Sequence, residues 1–403
     1  MRIAVLNWTH RLTGGAERYV AELASRLIHK GHDILLVTEI DGPANRSEPV
    51  FPKDMDRISI HASGLSETRR ALEAWKPDVV WVHGFLSPEN ERTLTNGFVT
   101  ILFAHTYYGT CITGTKTLRF PKTKPCPHNF GAACLARYYP RRIGGLNPFV
   151  LSKEYSKQRA RLKLLLGYDR IMTMSHHMKT EYEKHGMPGD RIAVVPPITV
   201  TPISDSPLLE APASHEPWRI TFAGRADHLK GGSILLAAIL IAAGKLTNPI
   251  LLTIAGDGPD LDRWKLLAKQ IRDSKVEIRF EGWQSSEELQ TLFAQSHLLA
   301  MPSLWPEPTG LVGLEAGASG VPAVAFDVGG IGEWLKEAVN GHFAEPGRLE
   351  PENFAAAIVE CLKDSTHYTD LQRGALSQAR LHSPKRHVDI LQQAMQQTVR
   401  VDR

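Results

Sequence analysis

The stretch Met301–Glu315, MPSLWPEPTGLVGLE, is the most informative part of this sequence. It places two glutamates, Glu307 and Glu315, eight positions apart. The apolar run that ends at Met301 predicts a buried strand. Because a first helical turn does not need the N–H that proline lacks, Pro308 predicts a helix from about Thr309. Glu307 would then lie in the loop before the helix, and Glu315 on its second turn.

The start of that predicted helix has a second feature. The backbone N–H groups of Gly310, Leu311 and Val312 would lie at its positive end, where phosphate groups bind readily. Along a continuous helix, eight positions correspond to ~12 Å between the two carboxylates. The alternative interpretation is one solvated glutamate and one glutamate on a helix surface.

The composition limits the class of protein. A chain of 403 residues is long enough for two domains, and 42% hydrophobic with 22% charged residues is typical of a globular protein. No apolar run reaches the ~18 residues of a membrane-spanning helix. The start, MRIAVLNWTHR, predicts a first strand and not a secretory signal. Four cysteines give no disulfide framework, so we expect a reducing cytoplasm, and the mild net charge of +4 does not require nucleic acid.

Short apolar runs alternate with helical patterns in both halves, which predicts parallel βαβ units. The predicted strands are Ile3–Leu6, Ile34–Thr38, Val79–His83, Thr100–Ala104, Arg170–Met174 and Ile192–Val195, then Arg219–Ala223, Ile250–Ala255, Val276–Phe280, Leu298–Met301 and Ala323–Phe326. The predicted helices include Ala16–His29, Ser233–Ala243, Leu261–Arg272, Ser286–Ala294 and Leu311–Ser319. The proline-rich stretch 196–217 predicts a linker between domains 1–195 and 218–383.

Glycines and basic residues follow several predicted strands, where parallel sheets bind ligands. Gly14 and Gly15 open the first helix, where the lack of side chains lets a ligand approach the backbone, unless they form a plain tight turn. In GRADHLKGG, Arg225 and Lys230 stand beside Gly224. Their charges suit phosphate oxygens, and a charged surface turn is the alternative.

Several of these motifs occur in the order found in a known family. The segments EPTGLVGLE, DVGGIGE and GRADHLKG resemble the signature of the retaining glycosyltransferases of family 4, also called glycosyl transferases group 1. The likeness extends over nearly the whole chain and is densest from Ile220 to Gly347. It implies an α/β, GT-B fold: two Rossmann-like doubly wound parallel-sheet domains facing a central cleft. It also implies that residues 384–403 form a helix that crosses back to the first domain.

The resemblance implies roles for the charged residues. Arg225 and Lys230 would hold the donor diphosphate and stabilise its charge as it leaves. Glu315 would accept hydrogen bonds from the ribose hydroxyls. Glu307 would bind hydroxyls of the donor sugar and stabilise the oxocarbenium-like transition state. The ~12 Å spacing does not fit the ~5 Å of the two-carboxylate scheme of retaining hydrolases, so we do not assign Glu307 as a nucleophile.

The resemblance also implies that His105, at the end of a predicted strand, lies against the donor sugar, although a lone histidine there is more often structural. The residue that follows it is Thr106, where the family often has aspartate. The resemblance also implies donor contacts for Gly14, Gly15, Gly224 and Gly256. We add backbone groups near Gly282 and Trp283, which we choose for contacting the base, and the helix start with Thr309, Gly310, Leu311 and Val312.

The implied activity is transfer of a hexose-type sugar, with retention, from a nucleotide-diphosphate sugar to a carbohydrate or lipid-linked acceptor, in surface polysaccharide or glycoconjugate synthesis. We favour UDP over GDP. No convincing D-x-D motif is present, so we expect no cofactor and no catalytic metal. One alternative is a nucleotide-sugar epimerase on the same fold, which would need further acid–base residues. Another is a non-catalytic sugar-nucleotide-binding assembly protein, whose mark would be loss of Glu307, Arg225 or Lys230.

The segment Tyr107–Pro148 has no clean periodicity, and insertions of this length are usually functional or mobile. Its three cysteines, with a nearby histidine (His105 or His128), would make a structural zinc clip. The cysteines are Cys111, Cys126 and Cys134. Because their spacing lacks a C-x-x-C pair, we favour free, partly buried thiols.

The segment that follows, residues 151–170, combines basic with apolar residues. A basic amphipathic helix can lie on an anionic bilayer, although a solvated helix face is more common. We therefore expect a cytoplasmic protein and keep peripheral contact with the inner face of an anionic membrane as a minor alternative.

Overall fold

The computed structural model describes residues 1–12, 14–41, 50–52, 55–199, 201–204, 207–345 and 349–401. Gly347, the end of the region of densest likeness, lies outside these residues. The chain divides into two compact units. Unit 1 comprises Met1–Thr115, His128–Pro196 and Lys385–Arg403, and unit 2 comprises Lys116–Pro127 and Pro197–Pro384. Thus the segment Lys116–Pro127, which the sequence interpretation assigned to the first domain, packs with the second unit.

The first half of the chain supplies the sheet of unit 1. The strands in this half are β1 (Arg2–Asn7), β2 (Asp33–Thr38), β3 (Asp56–Ser59), β4 (Val79–Gly84), β5 (Thr100–Phe103), β6 (Thr117–Leu118), β7 (Lys124–Pro125), β8 (Arg170–Thr173) and β9 (Ile192–Val194). Of these, β6 and β7 form a separate antiparallel hairpin in unit 2, and the others form the sheet of unit 1. Its helices are α1 (Gly15–His29), α2 (Ile60–Ser63), α3 (Leu65–Trp75), α4 (Pro88–Thr95), α5 (Ala133–Tyr138), α6 (Pro148–Leu165) and α7 (His176–Glu183).

The sheet of unit 1 is fully parallel, in the order β3-β2-β1-β4-β5-β8-β9. Its central strands are buried apolar runs, as expected for a sheet covered on both faces. The sequence interpretation missed the edge strand β3, because DRIS has one apolar residue and two exposed ones.

The C-terminal helix completes unit 1. It packs against α1, where Tyr19 Oη lies 2.7 Å from His387 Nε2. Because His387 Nδ1 lies 2.6 Å from the carbonyl of Pro196, which can only accept, its Nδ1 carries the proton and Tyr19 is the donor to Nε2. Lys30 Nζ also pairs with Asp389 Oδ1 at 2.6 Å.

The second half supplies the sheet of unit 2 and the last helix. The strands are β10 (Trp218–Ala223), β11 (Ile250–Ala255), β12 (Val276–Gly282), β13 (Leu298–Met301), β14 (Ala323–Phe326) and β15 (Gly341–Ala344). The helices are α8 (Gly232–Ala243), α9 (Leu261–Ala268), α10 (Ser286–Ala294), α11 (Val312–Gly317), α12 (Pro351–Leu362), α13 (Ser365–Leu381) and α14 (Pro384–Val401).

This second sheet is also fully parallel, in the order β12-β11-β10-β13-β14-β15. The order is that of a doubly wound nucleotide-binding sheet. The strand β15 was missed because GHFA is short and contains a histidine and a glycine. Helix α8 covers the sheet with an almost wholly apolar sequence, GSILLAAILIAA.

Two predicted helices are shorter than expected. The helix after Glu307 begins at Val312 and ends at Gly317, so Pro308 precedes it and Glu315 lies in its first turn. The ~12 Å estimate assumed a continuous helix, and it does not hold for this partly extended segment. Helix α9 ends at Ala268 instead of Arg272.

Helix α6 differs from the amphipathic surface helix that its sequence predicted. Its basic and apolar side chains are not segregated onto opposite faces. Arg161 points inward: its Nη2 donates to the carbonyl of Phe85 at 2.7 Å, and its guanidinium lies 4.7 Å from the centre of the Tyr108 ring. In the part of the chain that the structure describes, no helix is both long enough and apolar enough to cross a bilayer.

A buried histidine next to β10 makes the stability of the fold depend on pH. His297 Nδ1 accepts the backbone N–H of Arg219 at 2.9 Å, so the ring proton is on Nε2, which donates to the carbonyl of Glu210 at 3.1 Å. Burial, together with the charge of Arg219, lowers the pKa of His297 to about 4. Protonation would place a second N–H against the Arg219 amide.

We therefore predict that the free energy of unfolding decreases as the pH falls from about 6.5 to about 4. Histidine in the unfolded chain takes up its proton near pH 6.5, whereas folded His297 does so only near pH 4, so the loss approaches about 3 kcal/mol.

Urea denaturation at pH 7 and pH 4.5 measures this loss in the free energy of unfolding. His297→Asn keeps an acceptor and does not titrate, so its stability should depend less on pH. The exposed control His215→Asn should behave like wild type. Equal pH dependence in wild type and His297→Asn would contradict the prediction.

Candidate active site

The strand order of unit 2 reverses between β10 and β13. The strands β11 and β12 lie on one side of β10, whereas β13, β14 and β15 lie on the other, and β10 pairs directly with β13. Ligands of doubly wound sheets bind beyond the carboxyl ends of the strands at such a reversal. The loop after β10, residues 224–231, and the loop after β13, residues 302–311, therefore flank the expected ligand position.

These two loops contact each other through their backbones. The N–H of Leu304 donates to the carbonyl of Leu229 at 2.8 Å. A β-carbon at Gly231 would lie 1.9 Å from the carbonyl oxygen of Pro302, and the φ of Gly231 is +74°, so only glycine fits. Asp227 shapes the first loop, because its Oδ1 accepts the N–H of Leu229 at 2.9 Å.

The contact between the loops places Lys230 against Glu307. Lys230 Nζ lies 2.6 Å from Glu307 Oε1, and the hydroxyl of Ser303 donates to the same oxygen at 2.6 Å. The Glu307 side chain is 5% exposed and that of Lys230 is 28% exposed. Lys230 Nζ also lies 5.4 Å from the centre of the Trp305 ring. Since the pair is partly buried, removal of either charge would leave the other poorly compensated.

The segment around Glu307 is also fixed by the loop after β14. The N–H of Gly330 donates to the carbonyl of Glu307 at 2.6 Å, and Glu307 forms an isolated parallel bridge with Gly329. Trp334 Nε1 donates to the carbonyl of Thr309 at 2.8 Å. The hydroxyl of Thr309 is buried and has no hydrogen-bond partner among the residues that the structure describes. An unsatisfied buried hydroxyl at this position is consistent with a polar ligand.

Three predicted glycines end adjacent strands and contact one another. Gly224 donates its N–H to Ala255 at 3.0 Å, and Gly256 donates to Gly282 at 2.6 Å. A β-carbon at Gly256 would lie 1.8 Å from the carbonyl oxygen of Gly224. Close packing therefore explains Gly256, whereas the positive φ angles of Gly224 (+153°) and Gly282 (+69°) favour glycine at the other two positions. The neighbouring Trp283 is 59% exposed, and its ring is available to contact a base.

The other predicted residues of unit 2 lie beside these. Arg225 is exposed, and among the described residues its side chain has no hydrogen bond or ion pair. Leu311, Val312 and Glu315 are half-buried at the start of α11, and Gly310 is half-buried just before it. The structure thus brings Lys230 and Glu307 into direct contact, while it shows no such contact for Arg225.

The glycine pair of unit 1 has no packing explanation. Gly14 is extended, with φ −175°, and Gly15 is the first residue of α1. A β-carbon at Gly15 would meet nothing within 4 Å, and one at Gly14 would contact only Glu17 Oε2, at 3.7 Å. Neither crowding nor a left-handed backbone requires glycine here. The structure therefore gives no packing reason for glycine at either position.

His105 lies just after β5 and contacts a second histidine. Its Nε2 is 2.8 Å from His83 Nδ1, and the two rings stack with centroids 5.1 Å apart. The rings of Phe103 and Tyr19 lie 5.0 and 5.4 Å away. Burial lowers the pKa of His105 to about 4, and burial with the nearby His105 lowers the pKa of His83 well below its usual range. Both rings are therefore uncharged at neutral pH, and one donates to the other.

Sequence reasoning missed three residues that contact the predicted ones: His83, Ser303 and Trp305. The sequence held a usable signal for His83 alone. His83 ends a predicted strand that neighbours the strand before His105 in any parallel sheet of this order. Ser303 and Trp305 belong to the same SLWPE segment as Glu307, but nothing in their spacing indicates that they contact the carboxylate and the lysine.

The hairpin β6–β7, part of the insertion after His105, packs onto the loop that carries Lys230. Thr123 Oγ1 lies 2.8 Å from His228 Nε2, and Lys122 Nζ pairs with Glu350 Oε1 at 2.7 Å. Burial, together with the charge of Arg119, lowers the pKa of His228. This contact explains why the segment belongs to unit 2 despite its place in the sequence.

The zinc-clip alternative is wrong for the three cysteines of the insertion. Cys111 and Cys134 belong to unit 1, whereas Cys126 belongs to unit 2. Among the described residues, no group of three ligand atoms close enough to share an ion includes a cysteine. None of the three forms a disulfide bond with another described residue, and Cys111 is buried.

Comparison with known proteins gives matches along the chain. The family model of Glycosyltransferase Family 4 matches residues 13–199, and that of Glycosyl transferases group 1 matches residues 210–378. The D-inositol 3-phosphate glycosyltransferase of Nocardioides is 30% identical over 43% of this chain and 41% of its own length. Glycogen synthase of Mycobacterium tuberculosis is 25% identical over 90% of this chain and 86% of its own length.

For the first three curated relatives, the chain spans less than half of the relative's own length. A solved structure of HepE from Anabaena, in complex with UDP and glucose, covers 97% of both chains with a TM-score of 0.66 and 17% identity. That likeness concerns the fold, which in both chains is the GT-B arrangement of two α/β units. The two family matches, over residues 13–199 and 210–378, show that this chain belongs to the family 4 glycosyltransferases, the glycosyl transferases group 1.

Proposed function

We propose that the chain is a retaining glycosyltransferase that moves a hexose-type sugar from a nucleotide-diphosphate sugar to a carbohydrate or lipid-linked acceptor. The ion pair between Lys230 and Glu307 carries this proposal. It places a cation and a carboxylate together at the strand reversal, where a doubly wound sheet binds its ligand. The cation suits the diphosphate, and the carboxylate suits sugar hydroxyls.

Leaving-group stabilisation is the main chemical task of the site. The acceptor oxygen forms a bond to the sugar C1 on the face from which the diphosphate leaves, and the bond from C1 to the phosphate oxygen breaks. The hydroxyl proton passes to a phosphate oxygen. The ammonium of Lys230 has three N–H donors, so it can keep Glu307 and also donate to the phosphate. The exposed Arg225 adds a second, planar donor group.

Glu307 acts by binding and electrostatics. Its Oε1 already accepts from Lys230 and Ser303, and the side chain is almost fully buried. These contacts reduce its nucleophilicity, which argues against a covalent glycosyl intermediate. Both contacts use Oε1, and the described residues offer no partner for Oε2, which is the atom we assign to the donor sugar.

His105 contributes as a neutral ring. Its pKa of about 4 means that imidazolium is almost absent at neutral pH. The ring therefore accepts or donates a hydrogen bond against the sugar and is poorly suited to general acid catalysis. This also disfavours the epimerase alternative, for which His105 is the strongest acid–base candidate. The presence of Arg225, Lys230 and Glu307 disfavours a non-catalytic assembly protein, which would be expected to lack one of them.

We assign UDP as the favoured nucleotide over GDP. Glu315 would accept from the ribose, and backbone groups at Gly282 with the exposed ring of Trp283 would contact the base. The solved relative HepE holds UDP and glucose, which supports a nucleotide sugar of this kind. No metal-binding motif accompanies these residues, so we propose that the reaction needs no catalytic metal.

We also propose peripheral contact with the inner face of an anionic membrane, from a cytoplasmic location, in keeping with a role in surface polysaccharide or glycoconjugate synthesis. The support is a group of exposed apolar residues around the start of α6. Leu146 is 85% exposed, Phe149 84% and Val150 50%. The exposed Arg141 and Arg142 lie nearby in sequence. Apolar side chains that insert and basic ones that meet lipid phosphates form a surface suited to anionic lipid.

Replacing Arg225 or Glu315 with alanine should weaken nucleotide binding roughly tenfold or more, because each replacement removes hydrogen bonds to or from a charged group. Isothermal titration with UDP and with GDP measures the effect, and wild type should bind UDP more tightly. Arg373→Ala, an exposed arginine on α13, is the control and should bind like wild type. Unchanged affinity in both test variants would remove this site.

Glu307→Gln should bind UDP nearly as well as wild type but turn over at least about a hundredfold more slowly. Glutamine still accepts from Lys230 and Ser303, so the loops stay in place, while the negative charge near the sugar is lost. Steady-state kinetics with a UDP-sugar, beside nucleotide titration, separates the two effects. Glu277→Gln, on an exposed position of β12, is the control. Full activity of Glu307→Gln would refute the assigned role.

The double variant Leu146→Ser, Phe149→Ser should bind at least several-fold less to vesicles that contain phosphatidylglycerol, because the side chains that would enter the bilayer are removed. Co-sedimentation with vesicles measures binding, and vesicles of phosphatidylcholine alone should bind poorly. Leu266→Ser, a 61% exposed leucine on α9, is the matched control. Equal binding by the double variant and the control would contradict membrane contact through α6.

A further inference from the structure

Three potential metal ligands on unit 2 come together from separate elements. His342 lies on β15, Glu360 on α12 and His367 near the start of α13. One ligand atom from each residue lies within 4.8 Å of the other two. None of these residues takes part in the proposed sugar transfer, and sequence analysis did not single them out.

The first histidine is held in a tautomer that suits metal binding. His342 Nδ1 lies 2.5 Å from Glu337 Oε1, and Oε2 of the same carboxylate accepts the N–H of Phe343 at 2.7 Å. A carboxylate only accepts, so the ring proton is on Nδ1. The lone pair of Nε2 therefore faces the cluster. A carboxylate behind a ligand histidine is the usual arrangement around protein-bound zinc.

The second histidine faces the same lone pair. His367 Nε2 lies 2.8 Å from His342 Nε2, so without a metal His367 donates a hydrogen bond. Two nitrogens on one tetrahedral zinc, each ~2.0–2.1 Å from it, are roughly 3.3 Å apart. A shift of roughly 0.5 Å in His367, with its proton moved to Nδ1, would turn both lone pairs toward one ion.

The third ligand supplies negative charge. It is the carboxylate of Glu360, whose Oε1 accepts a hydrogen bond from Lys363 Nζ at 2.6 Å. It is exposed, and it can rotate toward the two imidazoles or away from them.

We propose that His342, His367 and Glu360 bind one Zn²⁺ ion, with a water molecule in the fourth position and Glu337 as the carboxylate that orients His342. Two imidazoles and one carboxylate form a ligand set that zinc and its neighbours in the first transition row prefer, whereas Mg²⁺ and Ca²⁺ prefer oxygen ligands alone. The ion would tie the edge strand β15 to helices α12 and α13. Its role is structural, so it is separate from the sugar-transfer reaction.

The test uses the full-length chain after chelator treatment, with ZnCl₂ and CoCl₂ as probes. Competition with a chromophoric chelator should give one high-affinity zinc site per chain, and Co²⁺ should produce the visible absorption of a tetrahedral complex. Zinc should raise the melting temperature of wild type. His367→Ala should lose the cobalt spectrum and at least tenfold in zinc affinity, and its melting temperature should no longer respond to zinc.

Two further variants keep the test decisive if His367→Ala is unstable. Glu337→Gln leaves all three ligands but removes the orienting carboxylate, so zinc affinity should fall roughly 10–100-fold. His215→Ala, an exposed histidine elsewhere on unit 2, should bind zinc like wild type. Absence of a one-to-one zinc complex in wild type would overturn the proposal, and so would equal affinity in wild type, His367→Ala and Glu337→Gln.

Discussion

The direct pairing of β10 with β13 is the constraint on which the candidate site depends. These strands are distant in sequence, and their pairing brings Lys230 within 2.6 Å of Glu307, 77 positions later in the chain. Backbone contacts at Leu229 and Gly231 hold the two loops together, so the ion pair does not rely on the long lysine side chain finding its partner alone. A preorganised charge pair needs little rearrangement when a charged ligand arrives.

The candidate residues of the two units differ in their charge. The candidate residues of unit 2 include the charged Arg225, Lys230 and Glu307, which suit a diphosphate and a developing positive charge on a sugar. In unit 1 the corresponding histidines, His83 and His105, are uncharged because burial lowers their pKa values. A neutral imidazole can donate or accept a hydrogen bond without adding a charge.

Most of the architecture was predictable because buried parallel strands are apolar runs with turn residues at their ends. The runs that became β10, β11, β13 and β14 were located within a residue. The short strands β3 and β15 were missed, since an edge strand can be polar and still pair through its backbone.

The site was predictable in its residue types but less so in its contacts. The motif indicated Lys230 and Glu307, yet nothing in the sequence measures the distance between two loops. The start of α11 was misplaced because Pro308 is equally compatible with an extended segment, and the hydrogen bond from Trp334 to Thr309 favours the latter. The packing of Lys116–Pro127 with unit 2 could not be predicted from the sequence, because a contact such as that of Thr123 with His228 joins positions 105 residues apart.

The C-terminal segment Lys385–Arg403 belongs to unit 1 although it follows unit 2 in the sequence, and this affects folding during synthesis. The ribosome completes the first sheet long before it synthesises α14, whose His387 bonds to Tyr19 of α1 and whose Asp389 pairs with Lys30, just after α1. Unit 1 therefore lacks the helix α14 until that later part of the chain has been synthesised, and the nascent N-terminal half exposes apolar area in the meantime. Separate expression of residues 1–196 would leave that surface open permanently, so the two halves are poor candidates for independent production.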